Sequence, residues 1–191
     1  MSRDKILTAI RKNKPEAQAP PELPDFRRAD VDLEKIFREM VVAMGGKFLQ
    51  LTEKQPIETL IAEHFPNEIN IASAMPGLPG SINLTKIRYP AQLEGVGLAI
   101  LPAQFGVAEN GAVWLTETDC GHRALPFIAQ HLVVVLKKEN LVQNMHEAYQ
   151  RIRLDGMGFG AFIAGPSKTA DIEQSLVIGA QGARSLTVML Y

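Results

Sequence analysis

Apolar residues at helical spacing begin the chain and are followed by a proline-rich gap. The short stripe from Ile6 to Ile10 lies behind Ser2, which predicts a helix capped by that serine. The segment from Lys14 to Pro24 contains four prolines and no periodicity, so we interpret it as an extended linker. The pattern predicts a helical arm and proline-rich linker over residues 1–29 and an α/β domain over residues 30–191.

The apolar positions at the start of the predicted domain form a complete helical stripe. They recur at i, i+3, i+4, i+7, i+8 and i+11 from Leu33 to Met44, and Gly45 and Gly46 are expected to end that helix. Beyond it the pattern predicts a short strand over residues 47–51, a helix over 55–65 and a strand over 68–72. The breaker-rich stretch at residues 75–80 is predicted to be a loop.

Short apolar runs dominate the second half of the chain. They are Val96–Leu101, Ala112–Thr116, His131–Leu136, Gly160–Ala164 and Ser185–Leu190. Such runs are typical of strands in a parallel sheet, because helices cover both of its faces. Helices are predicted over residues 140–154 and 169–178. The alternation of strands and helices predicts an α/β fold with an open, mostly parallel sheet flanked by helices.

Composition and charge narrow the classes of partner. The 191 residues are 46% hydrophobic and 21% charged, which is typical of one globular domain with its own core. A net charge of -1 provides no electrostatic basis for binding nucleic acid. No apolar run approaches the ~18 residues of a membrane helix, and the first residues lack the pattern of a signal peptide. We therefore expect a cytoplasmic protein that binds neither nucleic acid nor a membrane.

The single cysteine, Cys120, limits the cofactors that the chain could hold. An iron–sulfur cluster needs about four thiolates, so any such cluster is expected in a partner subunit. His122 and His131 lack metal-ligand spacing, so no metal site is predicted. His131 opens an apolar run and is interpreted either as a structural histidine or as a functional one. Cys120 is expected to be inert, because no local feature would lower the pKa of its thiol.

An apolar run that meets a predicted helix start provides the best candidate for an anion site. The residues expected to contact the anion are Gly165, Pro166, Ser167, Lys168 and Thr169. The last three are predicted to open a helix that carries Asp171 and Glu173 in its first turn. Free N–H groups at a helix start, beside hydroxyl and ammonium groups, suit a carboxylate or a phosphate. The alternative is that Ser167 or Thr169 merely caps the helix.

A second candidate is the acid that precedes the Asn110-Gly111 dipeptide. On one interpretation Glu109 is an exposed acid in a tight hairpin turn, for which Asn-Gly is a strong signal. On the other, Glu109 at a strand edge acts as nucleophile or general base, with Asn110 among the ligand-binding residues.

Two further segments are expected to support the same site. Arg123 precedes an apolar, proline-containing stretch and is a candidate carboxylate clamp. Gln181 and Gly182 lie between the last predicted helix and strand, where glycine permits a tight turn and close approach of the backbone to a ligand. A plain helix-ending role is the alternative there. We predict a cleft with Ser167 to Thr169 on one wall and with Glu109 and Arg123 opposite.

These segments together resemble the LUD domain family, the family of lactate-utilization protein C and its relatives. The resemblance covers about residues 30–191. Its carriers are Gly106–Leu115, Arg123 with Leu125-Pro126 and His131, Gly165–Glu173, and Gly179–Val188. The most specific of these is Gly165–Glu173. Two departures are Gln181-Gly182, where relatives commonly have His-Gly, and Asn110, where they often have threonine. Any role of the family's histidine therefore cannot be carried over to residue 181.

The resemblance implies a sheet like that of the glucosamine-phosphate isomerase, ribose-phosphate isomerase and CoA-transferase superfamily. It also implies a component of a system that oxidises L-lactate to pyruvate, with iron–sulfur clusters in partner subunits. On this reading the chain is an accessory subunit rather than a stand-alone enzyme. The alternative is a CoA-transferase-like or sugar-phosphate-isomerase-like enzyme using Glu109, since Glu-Asn-Gly resembles a motif of some CoA transferases. A structural or regulatory module is a third hypothesis. The arm would permit a homodimer.

Overall fold

The computed structural model describes residues 2–16, 18–153, 156, 158–169 and 177–191. Its α-helices are α1 (Arg3–Lys12), α2 (Leu33–Ala43), α3 (Ile57–His64), α4 (Glu117–Cys120), α5 (Leu125–Ile128) and α6 (Met145–Arg151). Its strands are β1 (Lys47–Gln50), β2 (Ile71–Ser73), β3 (Leu98–Pro102), β4 (Phe105–Val107), β5 (Ala112–Thr116), β6 (His131–Leu136), β7 (Leu141–Val142), β8 (Gly160–Ile163) and β9 (Ser185–Leu190). Short 3₁₀ helices occupy Leu84–Lys86, Pro90–Leu93 and Lys138–Asn140.

The main sheet confirms the predicted α/β fold. Its strand order is β1-β9-β6-β3-β2, and every neighbouring pair is parallel. Side chains alternate between the two faces of each strand, so the apolar runs supply both faces at once. Val133 and Met189 pack with Leu60 of α3 on one face. Val134 shares the core of the other face with Phe37 of α2.

A second sheet was not predicted. Its order is β7-β4-β5-β8, with β5 antiparallel to both β4 and β8. The interpretation of Ala112–Thr116 and Gly160–Ala164 as strands of a parallel sheet is therefore wrong, although both form strands. The connection between β4 and β5 is only residues 108–111, and a parallel crossover needs a dozen or more residues.

The predicted helices are confirmed in part. Asp32 caps α2 by accepting the Lys35 N–H, and the helix ends before Gly45 as expected. The helix predicted over 140–154 is shorter, because β7 and the cap residue Asn144 precede α6. The last predicted helix falls largely on residues 170–176, which lie outside the described residues.

The arm and linker differ in how they contact the domain. No residue of α1 is buried, and Ser2 makes no capping hydrogen bond from its side chain. By contrast, the Phe26 ring stacks on His146 of α6 with ring centroids 4.3 Å apart. The Arg28 backbone also exchanges two hydrogen bonds with the Gln143 side chain. Contact with the domain therefore begins a few residues before the boundary that the sequence predicts.

Candidate functional site

The segment after β8 and the segment before β9 enclose a cavity of about 350 Å³, which we call the Ser167 cavity. Five residues after β8 line it together with three residues before β9. They are Ala164, Gly165, Pro166, Ser167, Lys168, Gln181, Gly182 and Ala183. The apolar part of the cavity wall is formed by Pro126 and Phe127 of α5 and by Phe162 of β8. The structure thus brings together two segments that the sequence analysis had selected separately.

Gly165 makes the turn into this cavity possible. Its φ of +72° lies in the left-handed region that favours glycine, and a Cβ there would overlap the Met44 carbonyl oxygen. The neighbouring Pro166 is buried. Gly182 has a similar role on the opposite segment, because a Cβ at that position would lie 3.1 Å from the Ser167 Cβ. These close approaches explain why glycines occupy both segments.

Ser167, Lys168 and Thr169 are not helical themselves, and the helix that they are predicted to open falls on residues 170–176, which lie outside the described residues. Lys168 pairs with Ile178 in an antiparallel bridge. The Ser167 N–H donates to the Ala183 carbonyl at 2.8 Å, and the Thr169 N–H donates to the Val177 carbonyl at 3.1 Å. Those two N–H groups are therefore not free for an anion, and hydroxyl-bearing residues suit such a bridge as well as a cap. Recognition of an anion in this cavity would therefore depend on side chains and not on these two N–H groups.

The Ser167 cavity also lies at an unexpected edge of the main sheet. It follows the carboxyl end of β8, but β8 belongs to the second sheet. Leu132 and Leu186, the second residues of β6 and β9, line the cavity, which places it at the amino ends of those parallel strands. At their carboxyl ends, where ligands commonly bind in such sheets, a cavity of about 590 Å³ has mostly apolar lining, including Val135 and Tyr191.

The charge of the Ser167 cavity favours an anion. Among the described lining residues, Lys168 is the one charged side chain, and none is acidic. The Ser167 hydroxyl and the Gln181 amide can donate hydrogen bonds beside it. Lys168 is exposed, so its attraction for a carboxylate or phosphate is close to that of a solvated ammonium group, and the neighbouring donors would have to add to it.

Glu109 and Asn110 lie elsewhere, in the turn of the β4–β5 hairpin. The Glu109 carboxylate accepts the N–H of Met145, the first residue of α6, at 2.7 Å. The Asn110 side chain accepts the Ala112 N–H at 3.0 Å. The hairpin interpretation is therefore confirmed. Glu109 lines a separate cavity of about 460 Å³ against Met145, so the structure does not place it opposite Ser167.

The remaining predicted residues contribute less to the cavity. Arg123 is exposed ahead of α5 and does not line it. The Thr169 hydroxyl accepts the Val177 N–H at 3.1 Å, and Thr169 does not line it either. Asp171 and Glu173 lie outside the described residues. Their predicted roles, like the catalytic role of Glu109, stay predictions.

Cys120 is buried behind the main sheet. Burial and, to a smaller extent, the neighbouring carboxylates of Asp119 and Glu117 raise the pKa of its thiol to about 12. The thiol is neutral at physiological pH, in agreement with the prediction that it is inert. Among the described residues no three His, Cys, Asp or Glu side chains cluster closely enough to hold a metal ion. Within the same residues, the helices are too short or too polar to cross a bilayer.

The chain resembles proteins of known family over most of its length. The sequence model of the LUD domain matches residues 85–191. Lactate utilization protein C of Shouchella clausii is 34% identical over 97 residues, which are 48% of this chain and 42% of that protein. The protein of the same name from Geobacillus sp. is 27% identical over 176 residues, 84% of this chain and 68% of that protein. The matched region thus covers less than half of the first of these relatives.

A solved structure supports the fold. The crystal structure of a DUF162 family protein from Deinococcus radiodurans superposes with a TM-score of 0.65 at 16% identity. The match covers 83% of this chain and 96% of that one. At this identity the likeness concerns the fold alone, and the kinship with the isomerase and CoA-transferase superfamily stays a prediction. Because the family's sequence model covers more than half of the chain, the chain belongs to the LUD domain family.

Proposed function

We propose that this chain is a component of a lactate-utilization system and that it binds a small carboxylate or phosphate in the Ser167 cavity. Several relatives share the name lactate utilization protein C, which supports the assignment to a lactate-utilization system. The cavity supports the ligand class, because Lys168 supplies a positive charge and no described lining residue is acidic. That charge arrangement is the observation that carries the proposal.

The donors in the cavity suit a hydroxy acid. The Lys168 ammonium would pair with the carboxylate, and Ser167 and Gln181 would bond to its oxygens or to the hydroxyl group. The apolar side chains of Leu132 and Phe162 would contact the carbon skeleton. Such a cavity would bind lactate or pyruvate without itself carrying out the oxidation.

The oxidation would then require partner subunits. A single cysteine leaves this chain unable to ligate an iron–sulfur cluster alone. We therefore assign any electron-transferring clusters to partner subunits and an accessory, ligand-binding role to this chain. The cytoplasmic location predicted from the sequence provides the reducing environment that such clusters need.

A thermal-shift screen of the full chain tests the proposal. L-lactate, pyruvate, inorganic phosphate and CoA are each added to the wild type, Ser167→Ala, Lys168→Ala and Lys86→Ala. A specific ligand at ~100 times its Kd adds ~2.7 kcal/mol of stability, which is a readily measured rise in Tm. We expect a rise with a carboxylate or phosphate in the wild type and in the Lys86→Ala control. The same rise should be lost in both cavity variants.

Other outcomes of this screen contradict the proposal. No shift with any anion, or a shift that persists in the double variant Ser167→Ala/Lys168→Ala, rules out the Ser167 cavity. A shift with CoA alone that is lost in Glu109→Gln would instead support the CoA-transferase-like alternative. Growth on lactate that is unaffected by deletion of the gene would contradict the assignment to lactate utilization.

A further inference from the structure

A second cavity lies at the same amino edge of the main sheet, on the opposite face. It has a volume of about 450 Å³ and is bounded by the first residues of β1, β6 and β9 and by the segment after α3; we call it the Ser185 cavity. His131 is directly paired with Ser185 in the register of β6 and β9, so both side chains point to one face. That face is the one covered by α3, whereas Leu132 and Leu186 point to the Ser167 cavity.

Three side chains in the Ser185 cavity form a serine–histidine–carboxylate array. The Ser185 hydroxyl oxygen lies 2.7 Å from Nδ1 of His131. On the other side of the ring, Nε2 of His131 lies 3.7 Å from a carboxylate oxygen of Glu68. The His131 and Glu68 side chains are 30% and 26% exposed, so the array is open to a ligand yet partly shielded from water.

Glu68 lies nearer to one nitrogen of the imidazole than to the other. At 3.7 Å its carboxylate oxygen is beyond hydrogen-bond distance of Nε2, but a negative oxygen on that side favours the tautomer with the proton on Nε2. The lone pair of Nδ1 then faces the Ser185 hydroxyl and accepts its proton. A base within hydrogen-bond reach of a serine, oriented by a third group, is the arrangement that activates a serine nucleophile.

Neighbouring residues hold the array in place. A Cβ on Gly97 would overlap the Glu68 carboxylate, so any larger residue at this position would require Glu68 to change its rotamer. The Phe65 ring packs against the His131 ring with centroids 5.7 Å apart. Backbone pairing fixes the other two members, because the His131 N–H donates to the Gly97 carbonyl at 2.8 Å and β9 holds Ser185.

Lys47 adds a positive charge to the same cavity. It opens β1 and is paired in register with Thr187, two residues along β9 from Ser185, so it lies on the same face. Its ammonium group is 3.2 Å from Nδ1 of His64, which also lines the cavity. A cation beside the array favours a substrate that carries a negative charge, or an oxyanion that forms during reaction.

We propose that Ser185 is an acyl-accepting nucleophile for a small anionic carboxylic ester or thioester. The Ser185 oxygen bonds to the acyl carbon as its proton passes to Nδ1 of His131. The bond from that carbon to the alcohol or thiol then breaks, and the leaving group takes the proton from Nδ1. Water, deprotonated by His131, next attacks the acyl-serine and releases the acid and the free hydroxyl. Glu68 is a positioning residue that stabilises the imidazolium.

Active-site labelling of the full chain tests the nucleophile. A fluorophosphonate probe should attach to the wild type, and peptide mass mapping should place the adduct on Ser185. Hydrolysis of a p-nitrophenyl ester of a dicarboxylic acid is measured in parallel. Since general-base catalysis contributes ~100-fold or more, Ser185→Ala and His131→Gln should each lower kcat/KM at least that much. Ser2→Ala, which removes an exposed serine ahead of α1, should leave both readouts unchanged.

A second set of variants separates positioning from mere packing. Glu68→Gln should lower kcat about tenfold with KM unchanged, and Glu68→Asp should recover part of the loss. Circular dichroism checks the fold of each variant, and Ser185→Thr keeps a hydroxyl if Ser185→Ala does not fold. Lys86→Ala, at an exposed lysine that lines neither cavity, should keep full labelling. Three outcomes overturn the proposal of a Ser185 nucleophile. They are a wild type that is not labelled, labelling that persists in Ser185→Ala, and a kcat of Glu68→Gln equal to that of the wild type. In each case His131 is a structural histidine.

Discussion

At the residue scale, the Asp119 carboxylate organises the turn that follows β5. One of its oxygens accepts the Thr116 N–H at 2.8 Å and the Thr116 hydroxyl at 2.6 Å. The other accepts the Gln104 side-chain amide at 2.7 Å. Because Asp119 and Thr116 are each only 8% exposed, the two Thr116 donors have little access to replacement water. The role of Asp119 was not predicted from the sequence, although the Thr-x-x-Asp spacing is a recognisable capping pattern.

Replacing Asp119 with alanine should lower the free energy of unfolding by about 2 to 3 kcal/mol. The reason is that Asp119→Ala leaves buried donors without an acceptor, and each such group costs about 1 to 3 kcal/mol. Asp119→Asn should cost less, since it keeps one acceptor oxygen. Urea unfolding measures the loss of stability in both variants. The control is Asp4→Ala in the exposed helix α1, which should lower the free energy of unfolding by less than about 0.5 kcal/mol. A loss in Asp119→Ala no larger than the control's would show that the network contributes little.

At the element scale, the β4–β5 hairpin attaches the second sheet to α2. Gly111 has φ +68°, and its N–H donates to the Val107 carbonyl at 2.9 Å to close the turn. A Cβ on Gly111 would lie 2.7 Å from the Val41 nitrogen and 2.8 Å from the Met40 carbonyl carbon. Both contacts are with helix backbone, which cannot move aside as a side chain would. The turn is therefore restricted by its conformation and by packing.

Gly111→Ala should destabilise the protein more than Gly77→Ala does. Gly77 also has a positive φ, +79°, but no atom lies within 4 Å of a Cβ built there. Gly77→Ala should therefore cost only the strain of a left-handed alanine, about 1 kcal/mol. Gly111→Ala should cost about 1 to 3 kcal/mol more, because it also forces the hairpin away from α2. Denaturant midpoints of the pair measure the difference, and equal losses would mean that the hairpin shifts without cost.

At the scale of the whole molecule, α1 is the element least integrated with the rest. It carries apolar Ile6 and Ile10, which are 47% and 53% exposed, and none of its residues is buried. The linker regains contact with the domain only near Phe26. A helix with an uncovered apolar stripe contributes nothing to the core of its own chain. A homodimer formed through the arm stays a prediction.

Removing residues 1–13 should leave the stability of the monomer unchanged. The truncated and full chains should have the same free energy of unfolding within about 0.5 kcal/mol, because no residue of α1 is buried. The measurement belongs at micromolar concentration, with sedimentation equilibrium of both chains beside it. A drop in the midpoint that accompanies loss of a dimer would place the arm on a partner copy. A drop in the midpoint when both chains are monomeric would show instead that the arm packs on its own domain.

Local pattern accounts for most of the elements and for half of the Ser167 cavity. Apolar runs predicted β3, β5, β6, β8 and β9, because burial demands consecutive apolar residues wherever a strand is covered on both faces. Asn110-Gly111 predicted the hairpin through its turn conformation. Lys168 could be selected as the cation that follows Gly165-Pro166-Ser167, and Gln181 as the polar residue beside Gly182. Periodicity cannot assign strand partners, so β5 and β8 were placed in the wrong sheet.

The sequence by itself determined the α/β class, the stripe of α2 and the hairpin, because each depends on residues close in the chain or on composition. Only the tertiary structure decided that Ser167 faces Gly182 and that Glu109 accepts the Met145 N–H at the start of α6 instead of facing Ser167. It alone placed His131 beside Ser185, 54 residues away, with Glu68 across the ring. Strand register and loop packing create such contacts, and neither leaves a local signal in the sequence.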